Sequence, residues 1–217
     1  MSQAKKRLLL GAASLLLIGE PALLAKSTIA APIQVAQVAS QTRWKAFQGQ
    51  DIQLSLPANF QGGSPTDAQS KTMIESIKSL GNPFATIGQM VEKNPAIFAL
   101  VAVDPQPNAS GGVTNVLVSA GQQLPDMTLK RYVDALAQFL PAPIKVLDHS
   151  MIRLQGRPAG RLVTEAIVGE KAIKQTIYIV QQADQIWTVA YSTDKEDYPR
   201  LSLMFERSIQ TFRAKPS

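Results

Sequence analysis

The sequence predicts an α+β domain, a three-layer α/β/α sandwich around a central, mostly antiparallel sheet of six or seven strands. Two observations carry this. Residues 96–103 are eight continuous apolar residues between Asn94-Pro95 and Asp104-Pro105, which is strand length, and a strand apolar on both sides needs cover on both faces. From residue 145 onward, four strand-like segments follow one another with connections too short for crossovers, the pattern of an antiparallel meander.

Taken in order, residues 44–47 read as a first short strand. Ile52, Leu54 and Leu56 alternate with Gln53 and Ser55 as a second one, after a turn at Gln48-Gly49-Gln50 and before Pro57. Ser64 reads as a helix N-cap with Pro65 at the first helical position and Asp67 three residues on; Met73, Ile74, Ile77 and Leu80 make the apolar face, and Gly81-Asn82-Pro83 stops it. A second short helix over 85–93 shows Ile87, Met90 and Val91 on one side. The buried strand 96–103 comes next, then a loop over 106–112 and a strand over 113–119. Thr128 caps a helix with Leu129, Tyr132, Val133, Leu136 and Leu140 on one face, ended by Pro141 and Pro143. The meander strands are 145–154, 160–168, 172–182 and 185–192. A last helix begins at Asp197 as N-cap, with Pro199 in its first turn, and buries Leu201, Phe205, Ile209 and Phe212.

Length and composition bound the rest. The chain has 217 residues, 45% of them hydrophobic and 18% charged, which is one ordinary globular domain and neither a disordered chain nor a nucleic-acid arm. With no cysteine and one histidine, disulfides, thiolate metal sites, thiol redox chemistry and a lipid anchor on cysteine are excluded. Lys5, Lys6 and Arg7 precede an apolar run at 8–19, then Glu20, Pro21 and small residues through Ala31, the order of a secretory signal peptide. At 1.5 Å per residue that run spans about 18 Å of a hydrocarbon core roughly 30 Å thick. Cleavage after Ala30 is therefore expected in preference to a retained anchor. Residues 31–42 read as a flexible lead-in and 43–217 as a single domain. Loss of Lys5, Lys6, Arg7, Lys26 and Glu20 lowers the net charge from +6 to about +3, and the remaining excess lies after residue 127.

In their order these elements resemble the PsbP-like α/β/α sandwich, shared by PsbP photosystem II proteins and the exported bacterial DcrB proteins. The resemblance rests on Ile52-Gln53-Leu54-Ser55-Leu56-Pro57, on 114–118 followed by the helix from Thr128, on the hairpin 154–162, on 187–192 and on 208–212, and spans 44–213. It implies a non-catalytic exported protein of a bacterium, a cyanobacterium if photosynthetic. Among photosynthetic members it implies an accessory or assembly factor on the lumenal side of photosystem II. Without a cysteine, this chain has no lipid anchor.

The chemistry-bearing residues give little support to catalysis. A triad would have to use His149, set mid-strand between Asp148 and Ser150 with no nucleophile elbow, so it reads as an ordinary strand histidine. Gly62-Gly63 and Gly111-Gly112 lack the neighbours of a phosphate loop and read as turns. Asp194, Glu196 and Asp197 read as helix-capping acids, with Lys195 among them and no calcium-loop spacing. No metal and no cofactor is expected.

Arg153, Arg157, Arg161, Lys171 and Lys174 gather on two adjacent hairpins as a candidate basic rim for an acidic partner or anionic headgroups. The expected function is that of an exported, non-enzymatic binding or assembly module in the periplasm or thylakoid lumen. Its partner would be a membrane protein complex, with peripheral membrane contact and no nucleic acid. The alternative is a carrier of a small hydrophobic ligand or lipid, with Phe84, Ile87, Met90 and Val91 lining a helical lid.

Overall fold

A computed structural model describes residues 43–67, 70–81, 84–108, 111–123, 125–168 and 170–215. The expected signal segment and lead-in lie outside them. Ten strands and four helices are present among the described residues. The strands are β1 (Trp44–Gly49), β2 (Ile52–Pro57), β3 (Gln61–Gly63), β4 (Phe98–Val103), β5 (Asn115–Gln122), β6 (Lys145–Leu154), β7 (Arg157–Val168), β8 (Lys171–Gln182), β9 (Gln185–Asp194) and β10 (Arg213–Ala214). The helices are α1 (Ser70–Ser79), α2 (Phe84–Lys93), α3 (Leu129–Phe139) and α4 (Tyr198–Ile209). Seven strands form the main sheet in the order β3-β4-β5-β9-β8-β7-β6, each neighbouring pair antiparallel, and β1, β2 and β10 form a smaller sheet.

The two-sided cover demanded by the apolar run is present. Every residue of β4 is buried. Phe98, Val101 and Val103 pack with Ile74, Ile77, Phe84, Ile87 and Val91 of α1 and α2, while Ala99, Leu100 and Ala102 pack with Phe47, Ile52, Leu54 and Leu56. One outer layer is thus made of α1, α2 and α3. The other is shared between α4 and the small sheet, so part of that cover is strand where helix was expected. Helix α3 sets Leu129, Tyr132, Val133 and Leu136 on Leu162, Ile177, Ile179 and Ala190, and its Thr128 hydroxyl accepts from Arg131 N at 3.3 Å, as its sequence demands.

Several local expectations are overturned by longer-range contacts. Ser64 does not cap a helix; its Oγ lies 3.0 Å from Thr66 Oγ1 in a local hydroxyl turn, and α1 starts six residues later. Gly62 and Gly63 are not a turn but strand β3, paired with Ala102 and Val101. Gly62 runs so close to the Val101 carbonyl and Ala102 that a Cβ has no room. The first hairpin turns at Gln50-Asp51, because Gly49 still pairs with Ile52. Strand β4 begins two residues later than expected, since Pro95–Ile97 is a 3-10 turn closed by Ile97 N donating to Asn94 O at 3.2 Å. Asp197 stands at the N-cap of α4 yet makes no capping bond; its carboxylate pairs with Arg200 Nη2 at 2.9 Å.

Candidate functional site

The hairpin β6–β7 turns through Gln155 (φ 51°) and Gly156 (φ 80°), two residues of positive φ that match the twist of the flanking strands. This turn sets the register, pairing Leu154 with Arg157 and Arg153 with Pro158. Side chains alternate between faces along each strand. Arg157 and Arg161 therefore share the face of Ala159 and Val163, toward α4, and Lys174, paired with Glu165, joins them. Arg153 and Lys171 fall on the opposite face, near opposite ends of β7. From Arg157 to Val168 that strand runs about 36 Å at 3.3 Å per residue. The five residues read together in the sequence are thus divided between two faces and two hairpins.

Their local bonds divide them further. Arg161 Nη1 lies 3.0 Å from Asp148 Oδ2, and Lys171 Nζ lies 3.7 Å from the buried carboxylate of Asp194. Lys174 Nζ sits 4.4 Å above the centre of the Tyr198 ring. Arg153 Nη1 donates to Gly156 O at 3.2 Å. Arg157 is exposed and makes neither an ion pair nor a hydrogen bond among the described residues.

Arg157 lines a groove of about 290 Å³ between the hairpin tip and the C-terminal segment. The buried side chains Leu154, Val180 and Phe212 contribute its apolar lining, and Arg213 and Gln181 its polar lining. Phe212 is set by an edge-on contact with Trp187, centroids 6.1 Å apart. Gln155 Nε2 donates to Gln210 O and Phe212 O, both at 2.9 Å, and Gln182 Nε2 donates to Ala214 O at 2.9 Å. Arg213 was not among the residues that the sequence singled out. No local pattern places it beside a hairpin more than fifty residues earlier; only the docking of β10 on β2 does so.

Phe84, Ile87 and Val91, the expected lid residues, are buried core side chains, and Met90 packs half-buried at their edge. A second groove, of about 390 Å³, lies between Gly62, Ser64, Ser70 and Met73. Neither groove lies beneath α2.

His149 and its sequence neighbours do not form a triad. His149 pairs with Leu162 on the α3 side, where Nε2 lies 3.8 Å from Asp134 Oδ1, whereas Asp148 is on the α4 side with Arg161. Alternation along the strand turns the two apart. Among the described residues no three His, Asp or Glu side chains gather as metal ligands, and no helix is long and apolar enough to cross a membrane. Strand β6, one edge of the main sheet, carries an irregularity between Val146 and Asp148 and the charges of Lys145, Asp148 and Arg153, features that discourage strand addition.

Fold and groove together define an α+β sandwich of PsbP-like fold with an arginine-lined groove at one hairpin tip. No protein-family model matches the sequence, and no curated protein matches it. Among solved structures the chain is similar to cyanobacterial PsbP (CyanoP) from Synechocystis sp. PCC 6803, at 10% identity and a TM-score of 0.50, over 85% of this chain and 99% of that one. It is also similar to the Ran-binding protein Mog1p of Saccharomyces cerevisiae, at 9% identity and a TM-score of 0.49, over 81% and 97%. A further similar structure is LpqN of Mycobacterium tuberculosis, involved in cell envelope biogenesis, at 12% identity and a TM-score of 0.47, over 85% and 100%. The likeness to CyanoP shows the fold.

Proposed function

We propose that this protein is an exported, non-catalytic accessory module that docks on a membrane protein complex at its periplasmic or lumenal side and assists its assembly or stability. In a photosynthetic source the complex is of the photosystem II type. The observation that supports this best is the contrast at the β6–β7 hairpin. Of the five basic residues singled out in the sequence, Arg153, Arg161, Lys171 and Lys174 have partners within the molecule, while Arg157 projects from an exposed hairpin beside a groove with no acidic partner. A cation left available at the surface steers and orients an acidic partner. The signal-like order of residues 1–30 supports export, and the PsbP-like fold agrees with an accessory role without establishing it.

The test is purification of the full chain, tagged after Ser217, from gently solubilised membranes of its own source, beside a variant with Arg153, Arg157 and Arg161 all changed to Glu. One membrane complex should be recovered at a fixed stoichiometry with the native chain, released by salt and absent with the folded variant. Recovery of the native chain alone would sink the reading.

A further inference from the structure

Resting on that docking reading, we infer that the groove between the β6–β7 hairpin tip and β10 is the receptor for an acidic extended segment of the partner, whose carboxylate is held between Arg157 and Arg213. The lining contains these two guanidinium groups and no carboxylate. A guanidinium offers five N–H donors in a planar fork that matches a carboxylate. Among the described residues Arg157 has all five free of protein acceptors. Arg213 commits only Nη1, which donates to Phe212 O at 2.8 Å and Gln210 O at 3.4 Å.

The remaining wall specifies more than an ion. Pro158 and Ala214 line the groove over the buried Leu154, Val180 and Phe212, so a ligand with a small apolar group beside its carboxylate fits better than a bare anion. At about 290 Å³ the groove is at the small end of ligand sites, which run from roughly 300 to 1,000 Å³. That suits one or two side chains of a peptide. The wall is also held in place before binding. Gln155 grips the carbonyls of Gln210 and Phe212, and Gln182 grips that of Ala214. Ordering costs on binding are correspondingly small. Because those carbonyls are already occupied, a segment entering here is recognised through its charge and not by extending the small sheet.

The full chain is titrated into a fluorescein-labelled octapeptide of alternating glutamate and leucine, with a glutamine-for-glutamate peptide as control, and anisotropy is read. The acidic peptide should bind about tenfold or more tightly than the control, and Arg157→Gln and Arg213→Gln should each weaken it by about tenfold or more. Arg213→Lys, which keeps the charge and loses the fork, should fall between native and Arg213→Gln; it serves if removing the Arg213 bonds loosens the C-terminal segment. Lys130→Gln, across the sheet on α3 and paired with Asp134, should leave affinity unchanged. Equal binding of the two peptides overturns the inference, as does affinity indifferent to both groove arginines. Tighter Arg157-dependent binding to phosphatidylglycerol vesicles than to the peptide also overturns it, in favour of a lipid headgroup. If Arg157→Gln and Arg213→Gln still capture the membrane complex, the receptor assignment fails and the docking reading stands. If the native chain binds the peptide but captures no complex, the docking reading fails and the receptor stands.

Discussion

The hydroxyl of Tyr191 on β9 donates to Ser208 Oγ on α4 at 2.9 Å, and Ser208 in turn donates to the carbonyl of Ser55 on β2 at 2.7 Å. Three elements from both ends of the chain are joined by this buried relay, at the point where helix, main sheet and small sheet meet. Stacking of Phe205 on the Tyr191 ring, centroids 5.0 Å apart, surrounds it with apolar contact. Ser208→Ala leaves the buried Tyr191 hydroxyl and the half-buried Ser55 carbonyl without their partner and should cost about 1–3 kcal/mol of stability. Urea denaturation of the two proteins measures it. A loss below experimental error would show that the relay contributes nothing net.

Alkaline pH should unfold the domain through its buried tyrosines. Burial pushes the Tyr178 hydroxyl up to about 12, against an ordinary value of 10.0, with the Arg161 charge opposing the rise. Burial raises Tyr191 further, partly offset by its bond to Ser208. Above pH 10 the unfolded chain loses these protons while the folded one keeps them, so the unfolded state binds fewer protons and stability falls as pH rises. The Tyr178 contribution is whole below pH 10 and lost as pH rises through about 12, and that of Tyr191 persists to higher pH. Denaturant midpoints from pH 9 to 12 should therefore decline, and Tyr178→Phe should decline less steeply.

Helix α3 packs tightly on the sheet at Gly160, where an added Cβ would collide with Val133 Cγ2. Gly160→Ala should destabilise by about 1–3 kcal/mol through overpacking. Pairing it with Val133→Ala should restore part of that loss, since the second change makes the missing room. Additive losses in the double variant would refute the steric cause.

The glutamine grip on the C-terminal segment predicts a local effect. Gln155→Ala removes the donor to two carbonyls and should cost about 1 kcal/mol. Amide exchange should quicken around residues 210–214 while β8 and β9 keep their protection. Uniform change across the sheet would mean that the grip supports the whole fold instead of this segment.

Much of the architecture was legible in the chain because it is written in local periodicity. The apolar run of β4 announced two covered faces. Alternation and short turns announced the β6–β9 meander, and Thr128 with its apolar stripe announced α3. At the candidate site, Arg157 was legible as an exposed hairpin cation. Arg213 was not, nor were the pairing of Lys171 with Asp194 and the seating of Lys174 over the Tyr198 ring.

What tertiary structure alone decided has one physical source. Sequence patterns report which face of an element is apolar, but the identity of the surface that covers it depends on contacts between residues far apart in the chain. Gly62 becomes strand because β4 leaves no space for a side chain beside it, overriding the turn preference of a glycine pair. The small sheet takes part of an expected helical layer because the β1–β2 hairpin folds its apolar face onto the main sheet. Gln155 meets Gln210 and Phe212 across more than fifty residues, and that closure alone turns two separate arginines into one groove.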